Sequence, residues 1–154
     1  MKKKLKWIFI ALVAAFGLLQ FANPPQTNPP VVNAFAITNA PPQVAAQLRA
    51  ACYDCHSHET KWPWYSHIAP VSWLVANDVD EGRKHLNFSD WPVADPLRAA
   101  KRLENMSDEI GYGDMPPKKY TAIHADARLT DAGRKELTGW LDAEAARLKA
   151  SAKK

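Results

Sequence analysis

Cys52-Tyr53-Asp54-Cys55-His56 decides how the rest of the chain is read. Two thiols stand three residues apart, and an imidazole follows the second at once. One helical turn brings both sulfurs toward the same edge and points the imidazole to one side of the plane they define. That disposition suits a porphyrin. Each thiol can add across one vinyl group to form a thioether, and the imidazole then reaches the iron from the proximal face. The pattern predicts one covalent haem c on Cys52 and Cys55, with His56 as an iron ligand.

Three other readings compete and each lacks company. A structural zinc site needs four ligands, usually from two paired clusters, and the chain has two cysteines in all. His58, His67, His85 and His124 could add nitrogens but form no second pair. A thioredoxin-like dithiol needs a βαβ frame, and no alternating strand pattern is present. A disulfide between Cys52 and Cys55 would close a very short loop and stabilise little.

The amino terminus agrees with attachment outside the cytoplasm. Lys2, Lys3, Lys4 and Lys6 precede Trp7–Leu19, and Phe21-Ala22 completes the apolar run after Gln20. A basic flank before an apolar stretch is the form of an export signal. Lys6 can snorkel and Trp7 can sit at the interface, which extends a short span. Residues 1–22 are read as an uncleaved membrane anchor. Cleavage is the alternative, with Ala34-Phe35-Ala36 as a small-x-small site far beyond the run. With four lysines removed from the total of 20, the remaining chain carries equal numbers of basic and acidic residues. A neutral folded part argues against nucleic-acid binding, which wants a basic face.

Residues 23–42 are rich in proline and read as a tether, with 31–40 able to lie across the domain surface. Residues 43–150 are expected to form one all-α domain of mostly short helices with long loops around one haem. A helix opens at Pro42 with Val44, Leu48 and Ala51 on one face. Pro70 starts a second, running to about Arg83, with Val71, Leu74, Val75 and Val79 as its apolar positions. Asp95 caps a third with Pro96 at its first position. Leu97, Ala100, Leu103 and Ile110 mark its inner face, and Gly111 and Gly113 end it. Thr130 caps the last, with Leu137, Trp140, Leu141 and Leu148 on one side. Phe88 and Trp91 fold inward from a loop. So few apolar residues on short helices make a marginal core, which a porphyrin would complete.

Met115 leads the candidates for the sixth ligand. It follows His56 by 59 residues, enough chain to wrap a ring, and Pro116-Pro117 hold the loop extended. Met106 sits in a helical pattern and reads as core. His85 is the main distal alternative, then His124; His58 is too close to His56 to reach the opposite face. Trp62, Trp64, Tyr65 and Trp73 are the expected pocket wall. Arg83, Arg98 and Lys118 could meet propionates, although solvated positions suit them equally.

The stretches Cys52-Tyr-Asp-Cys-His-Ser57, Trp62-Pro-Trp-Tyr-Ser66, Ile68-Ala-Pro70 and Ser72-Trp73 resemble the small bacterial haem-binding domain family. So do Glu81-Gly-Arg83, His85-Leu-Asn-Phe-Ser89, Met115-Pro-Pro117, His124 and the closing Leu129–Leu141 segment. The resemblance covers about residues 40–145. It implies a short cytochrome c with an amino-terminal anchor, on the periplasmic side of the bacterial inner membrane. The expected role is single-electron transfer between transient redox partners by a monomer that is not an enzyme. A haem-based sensor or gas-binding module, or an accessory domain to a haem peroxidase, is the alternative.

Overall fold

The computed structural model describes residues 1–35 and 39–153. Ala36, part of the small-x-small site, lies outside the described residues. Among the described residues seven α-helices follow in order: α1 (Lys2–Leu19), α2 (Pro42–Ala51), α3 (Tyr53–His56), α4 (Val71–His85), α5 (Pro96–Tyr112), α6 (Lys118–Thr121) and α7 (Asp131–Ser151). Short 3-10 turns cover Gln20–Ala22, Trp64–His67 and Ala125–Ala127. Among the described residues there is no strand, only a single bridge between Asn33 and Asp90. The architecture is all-α.

The helix starts are chemical. Pro42 occupies the first turn of α2, where its missing N–H costs nothing. Asp95 accepts from the Arg98 N–H at 2.9 Å at the start of α5, and Gly113 ends that helix at φ 85°. Gly111 stays inside α5. Thr130 Oγ1 accepts from the Gly133 N–H at 3.0 Å and opens α7. α6 was not expected: the proline loop turns directly into one helical turn after Pro117.

The core joins α2, α5 and α7. Val44 and Leu48 meet Ala100, Leu103, Met106 and Ile110 from α5 and Leu137, Leu141 and Ala145 from α7. Phe35, Tyr53, Phe88 and Trp91 close one side as an aromatic cluster. Tyr53 stacks on Phe88 with centroids 4.8 Å apart, and Phe35 lies 4.3 Å from Trp91. Met106 is core, as its helical register requires.

α4 departs from expectation. Only Ser72 and Val79 are buried on it, while Val71 and Leu74 stay 39% and 65% exposed. The side turned to the protein is small, Ser72 and Val79, so the bulky row falls on the outer side.

The proline-rich segment is laid along the domain by its own polar groups. Gln20 forms a two-bond pair with the Ala69 backbone, donating to its carbonyl at 3.3 Å and accepting its N–H at 2.9 Å. Asn23 donates to the His67 carbonyl at 3.1 Å and accepts from Ser72 Oγ at 2.6 Å. Asn28 donates to the Thr60 carbonyl at 2.9 Å. Farther on, the Val32 and Asn33 N–H groups reach the Ser89 carbonyl, and Trp91 N–H reaches the Asn33 carbonyl at 2.8 Å. Proline leaves few backbone donors, so Gln and Asn amides make the attachment.

Candidate functional site

α2 ends at Ala51, and Cys52 begins a fresh turn. The Cys55 and His56 N–H groups both return to the Cys52 carbonyl, at 3.3 and 2.9 Å. This single turn, α3, packs across the carboxyl-terminal half of α4. The approach is close enough that a Cβ at Gly82 would stand 2.5 Å from the Cys55 carbonyl oxygen. Only a residue without a side chain permits that crossing.

The crossing also holds the histidine. His56 Nδ1–H donates to the Gly82 carbonyl at 2.8 Å and to the Leu86 carbonyl at 3.1 Å. A proton on Nδ1 leaves the lone pair on Nε2, which is the form a metal-binding imidazole takes when its second nitrogen is anchored. Burial lowers the His56 pKa, keeping the ring neutral. The His56 carbonyl accepts from Phe88 N–H at 2.7 Å, which ties the motif to the aromatic cluster.

Both cysteines are free thiols, half-buried. Burial, then the neighbouring Cys55, pushes Cys52 up to about 12. Burial, then Asp78 and Asp54, pushes Cys55 up to about 11. Both therefore stand protonated at neutral pH in this structure. Among the described residues no group of three or more His, Cys, Asp or Glu side chains is placed to hold a metal ion.

Two of the other histidines, His58 and His124, are hydrogen-bonded through both ring nitrogens. His58 donates from Nδ1 to the Pro30 carbonyl at 2.9 Å and accepts from Asn87 at 2.9 Å. His124 donates to the Tyr120 carbonyl at 3.1 Å and accepts the Tyr65 hydroxyl at 3.0 Å. His85 is 81% exposed, with Nε2 4.0 Å from Glu81.

The four aromatic residues expected as a wall are divided. Tyr65 reaches the segment beyond Met115 through His124. Trp62 and Trp73 line a groove of about 460 Å³ with Ala22, Pro24, Pro25 and Arg83. Trp73 Nε1 donates to the Ala22 carbonyl at 2.9 Å. Trp64 is 76% exposed. Met115 is half-buried against the core, and its N–H donates to the Glu109 carbonyl at 3.2 Å. The loop beyond it returns to the motif, where Tyr120 donates to Asp54 Oδ2 at 2.9 Å and Lys119 pairs with Asp78 at 2.7 Å.

These residues fit a haem. His56 offers a fixed, neutral nitrogen, and two neutral thiols stand beside it. Val71, Leu74, Asp78 and Gly82 recur at helical spacing on one side of α4, and Gly82 meets Cys55. Val71 and Leu74 are the exposed apolar side chains of that row, which an apolar plate joined to Cys55 would cover.

Comparison with known proteins agrees. Residues 14–143 match the family described as haem-binding domain. The chain belongs to that family. This haem-binding domain is also 28% identical over 103 residues to "Cytochrome c peroxidase Ccp" of Escherichia coli strain K12, covering 65% of this chain and 22% of that protein. No solved structure matches it.

Gly82 and Arg83 were undervalued in the sequence. A glycine inside a helical pattern costs stability relative to alanine, and at Gly82 what it permits is the close approach of the Cys55 backbone. Arg83, weighed as a propionate partner or a solvated residue, instead donates to the Ser57 and Thr27 carbonyls, Asn28 Oδ1 and Thr60 Oγ1 at 2.8 to 3.0 Å.

Proposed function

We propose that this haem-binding domain is a membrane-anchored, exported monohaem cytochrome c that carries single electrons between protein partners. The carrying observation is His56, held by two carbonyls through Nδ1 and left with Nε2 free, beside two unpaired thiols. Cys52 and Cys55 would hold the haem, each thiol adding across one vinyl group with its sulfur on one carbon and its proton on the other, a redox-neutral attachment. A bound haem supplies one-electron chemistry at its iron.

The protein's part is placement and tuning. The Gly82 and Leu86 carbonyls fix the imidazole and increase its donor strength. Met115 is the proposed sixth ligand. Its loop returns to Asp54 and Asp78, so it has a path around the ring from the motif. His85 belongs to the end of α4 whose carbonyls stand behind the His56 ring, which disfavours it as a ligand on the opposite face. His58 and His124 have both ring nitrogens occupied. If His56 and Met115 held the iron, neither face would be left open to a substrate, which supports a carrier rather than an enzyme.

α1 supports the anchor: with the 3-10 turn after it, it makes the 21-residue helix Lys2–Ala22, whose most apolar 18-residue stretch has a mean hydropathy of 2.0, long and apolar enough to cross a membrane. Its basic flank supports an orientation with the domain on the periplasmic side. The likeness to 22% of a peroxidase favours a second reading, in which such a domain hands electrons to a peroxidase.

Spectra of the ferric and ferrous protein, with and without carbon monoxide, test the role. A carrier shows six-coordinate low-spin bands that carbon monoxide leaves unchanged. Ready binding to the ferrous form contradicts it and points to a sensor or gas-binding module.

A further inference from the structure

The end of the anchor helix and the domain are joined at one place. Gln20, immediately after α1, pairs through both atoms of its amide with the Ala69 backbone. Asn23 reaches the His67 carbonyl and the Ser72 hydroxyl, and Ala22 accepts from Trp73. Three positions within a four-residue stretch, Gln20, Ala22 and Asn23, thus meet residues 67–73 with little slack between them. A free tether would let the domain wander by tens of ångströms; these contacts hold Ala69 within hydrogen-bond distance of the helix end.

The residues held there are suited to a lipid interface. Trp64 is 76% exposed, Ile68 37% and Phe21 90%. Between Thr60 and Asn77 the only Lys, Arg, Asp or Glu is Lys61, and none occurs from Trp7 through Leu48. An exposed indole, apolar neighbours, an isolated lysine and no carboxylate form the composition favoured at the headgroup layer of an anionic membrane. Acidic residues resume at Asp78, farther along α4.

We propose that the domain lies on the bilayer rather than hanging from it. Trp64, Ile68 and Phe21 enter the headgroup layer, and the Gln20–Asn23 contacts fix that pose. The occupant of this edge is lipid. The proposal rests on α1 being an uncleaved anchor. One consequence is a set orientation of the site toward partners in the same membrane, which shortens their search to rotation in two dimensions.

The test uses the full haem-loaded chain in phosphatidylethanolamine–phosphatidylglycerol vesicles. Photoreactive p-benzoylphenylalanine replaces, one at a time, Phe16 within the anchor, Trp64, Ile68, and Lys135 on α7 as a control. Unchanged haem spectra certify folding, and mass spectrometry detects lipid adducts. The expected result is adducts at 16, 64 and 68, about five-fold or more above position 135. Adding Gln20→Leu should reduce the yield at 64 several-fold while position 16 is unaffected. Adducts at 16 with none at 64 and 68 overturn the proposal and leave the anchor standing. Equal yields at 64, 68 and 135 overturn it as non-specific contact. Absence of adducts at 16 removes the anchor itself, a separate failure.

Discussion

The Gly82 carbonyl accepts the His56 Nδ1 proton at 2.8 Å, and Gly82 Cα lies against the Cys55 backbone. One glycine on α4 therefore sets both the depth of the Tyr53–His56 turn and the direction of the free imidazole nitrogen.

Gly82→Ala should disturb both. The added methyl would meet backbone, not a flexible side chain, so α3 and α4 must separate. A stability loss of about 1–3 kcal/mol is expected from such overpacking, together with a shifted reduction potential as the carbonyl moves from His56. Denaturant titration and a redox titration of the holo-protein check the two effects. A substitution with neither effect would show that the close crossing is unimportant.

Met115→Ala should remove the weak ferric absorption near ~700 nm that marks a thioether ligand. It should also lower the potential and admit added ligands to the iron. Met115→His should restore six-coordination at a potential still below the parent's. His85→Ala should leave the spectrum alone. Coordination that changes with His85 and not with Met115 would reverse the assignment.

Replacing Cys52 and Cys55 together by Ala should divide the protein. α2, α5 and α7 share a continuous apolar core, whereas α4 buries only Ser72 and Val79. Without covalent haem, amide exchange should quicken over residues 53–85 and stay slow in α5 and α7. Uniform slow exchange across the chain would show that haem is not needed to order α4.

Arg83→Met should loosen the proline-rich segment. The guanidinium bonds to the Thr27 carbonyl and Asn28 at 3.0 and 2.9 Å, besides Ser57 and Thr60. Loss of charged hydrogen bonds of this kind costs about 1.5–3 kcal/mol. Limited proteolysis should then cut between residues 26 and 33 more rapidly than in the parent.

The helices were legible where local chemistry starts or stops them. Pro42, Asp95-Pro96, Gly113 and Thr130 act within one turn, so a single sequence carries their message. The turn that carries Cys52, Cys55 and His56 was legible because their spacing fits a single helical turn. α4 was misjudged because its apolar row resembles an ordinary core face. Periodicity shows that a face exists, not which neighbour it meets. The docking of residues 20–33 was hidden for a related reason. Prolines suggest a linker, but the amides of Gln20, Asn23 and Asn28 find partners 32 to 49 positions away, and no local pattern records such contacts. Arg83 belongs to the same class.

Intact mass under denaturing conditions tests the central claim most directly, using protein made in cells competent for covalent haem attachment. The account predicts a mass equal to the polypeptide plus one haem, reverting to bare polypeptide when Cys52 and Cys55 are both Ala. A bare polypeptide mass for the parent chain, with haem released into the solvent, would contradict it.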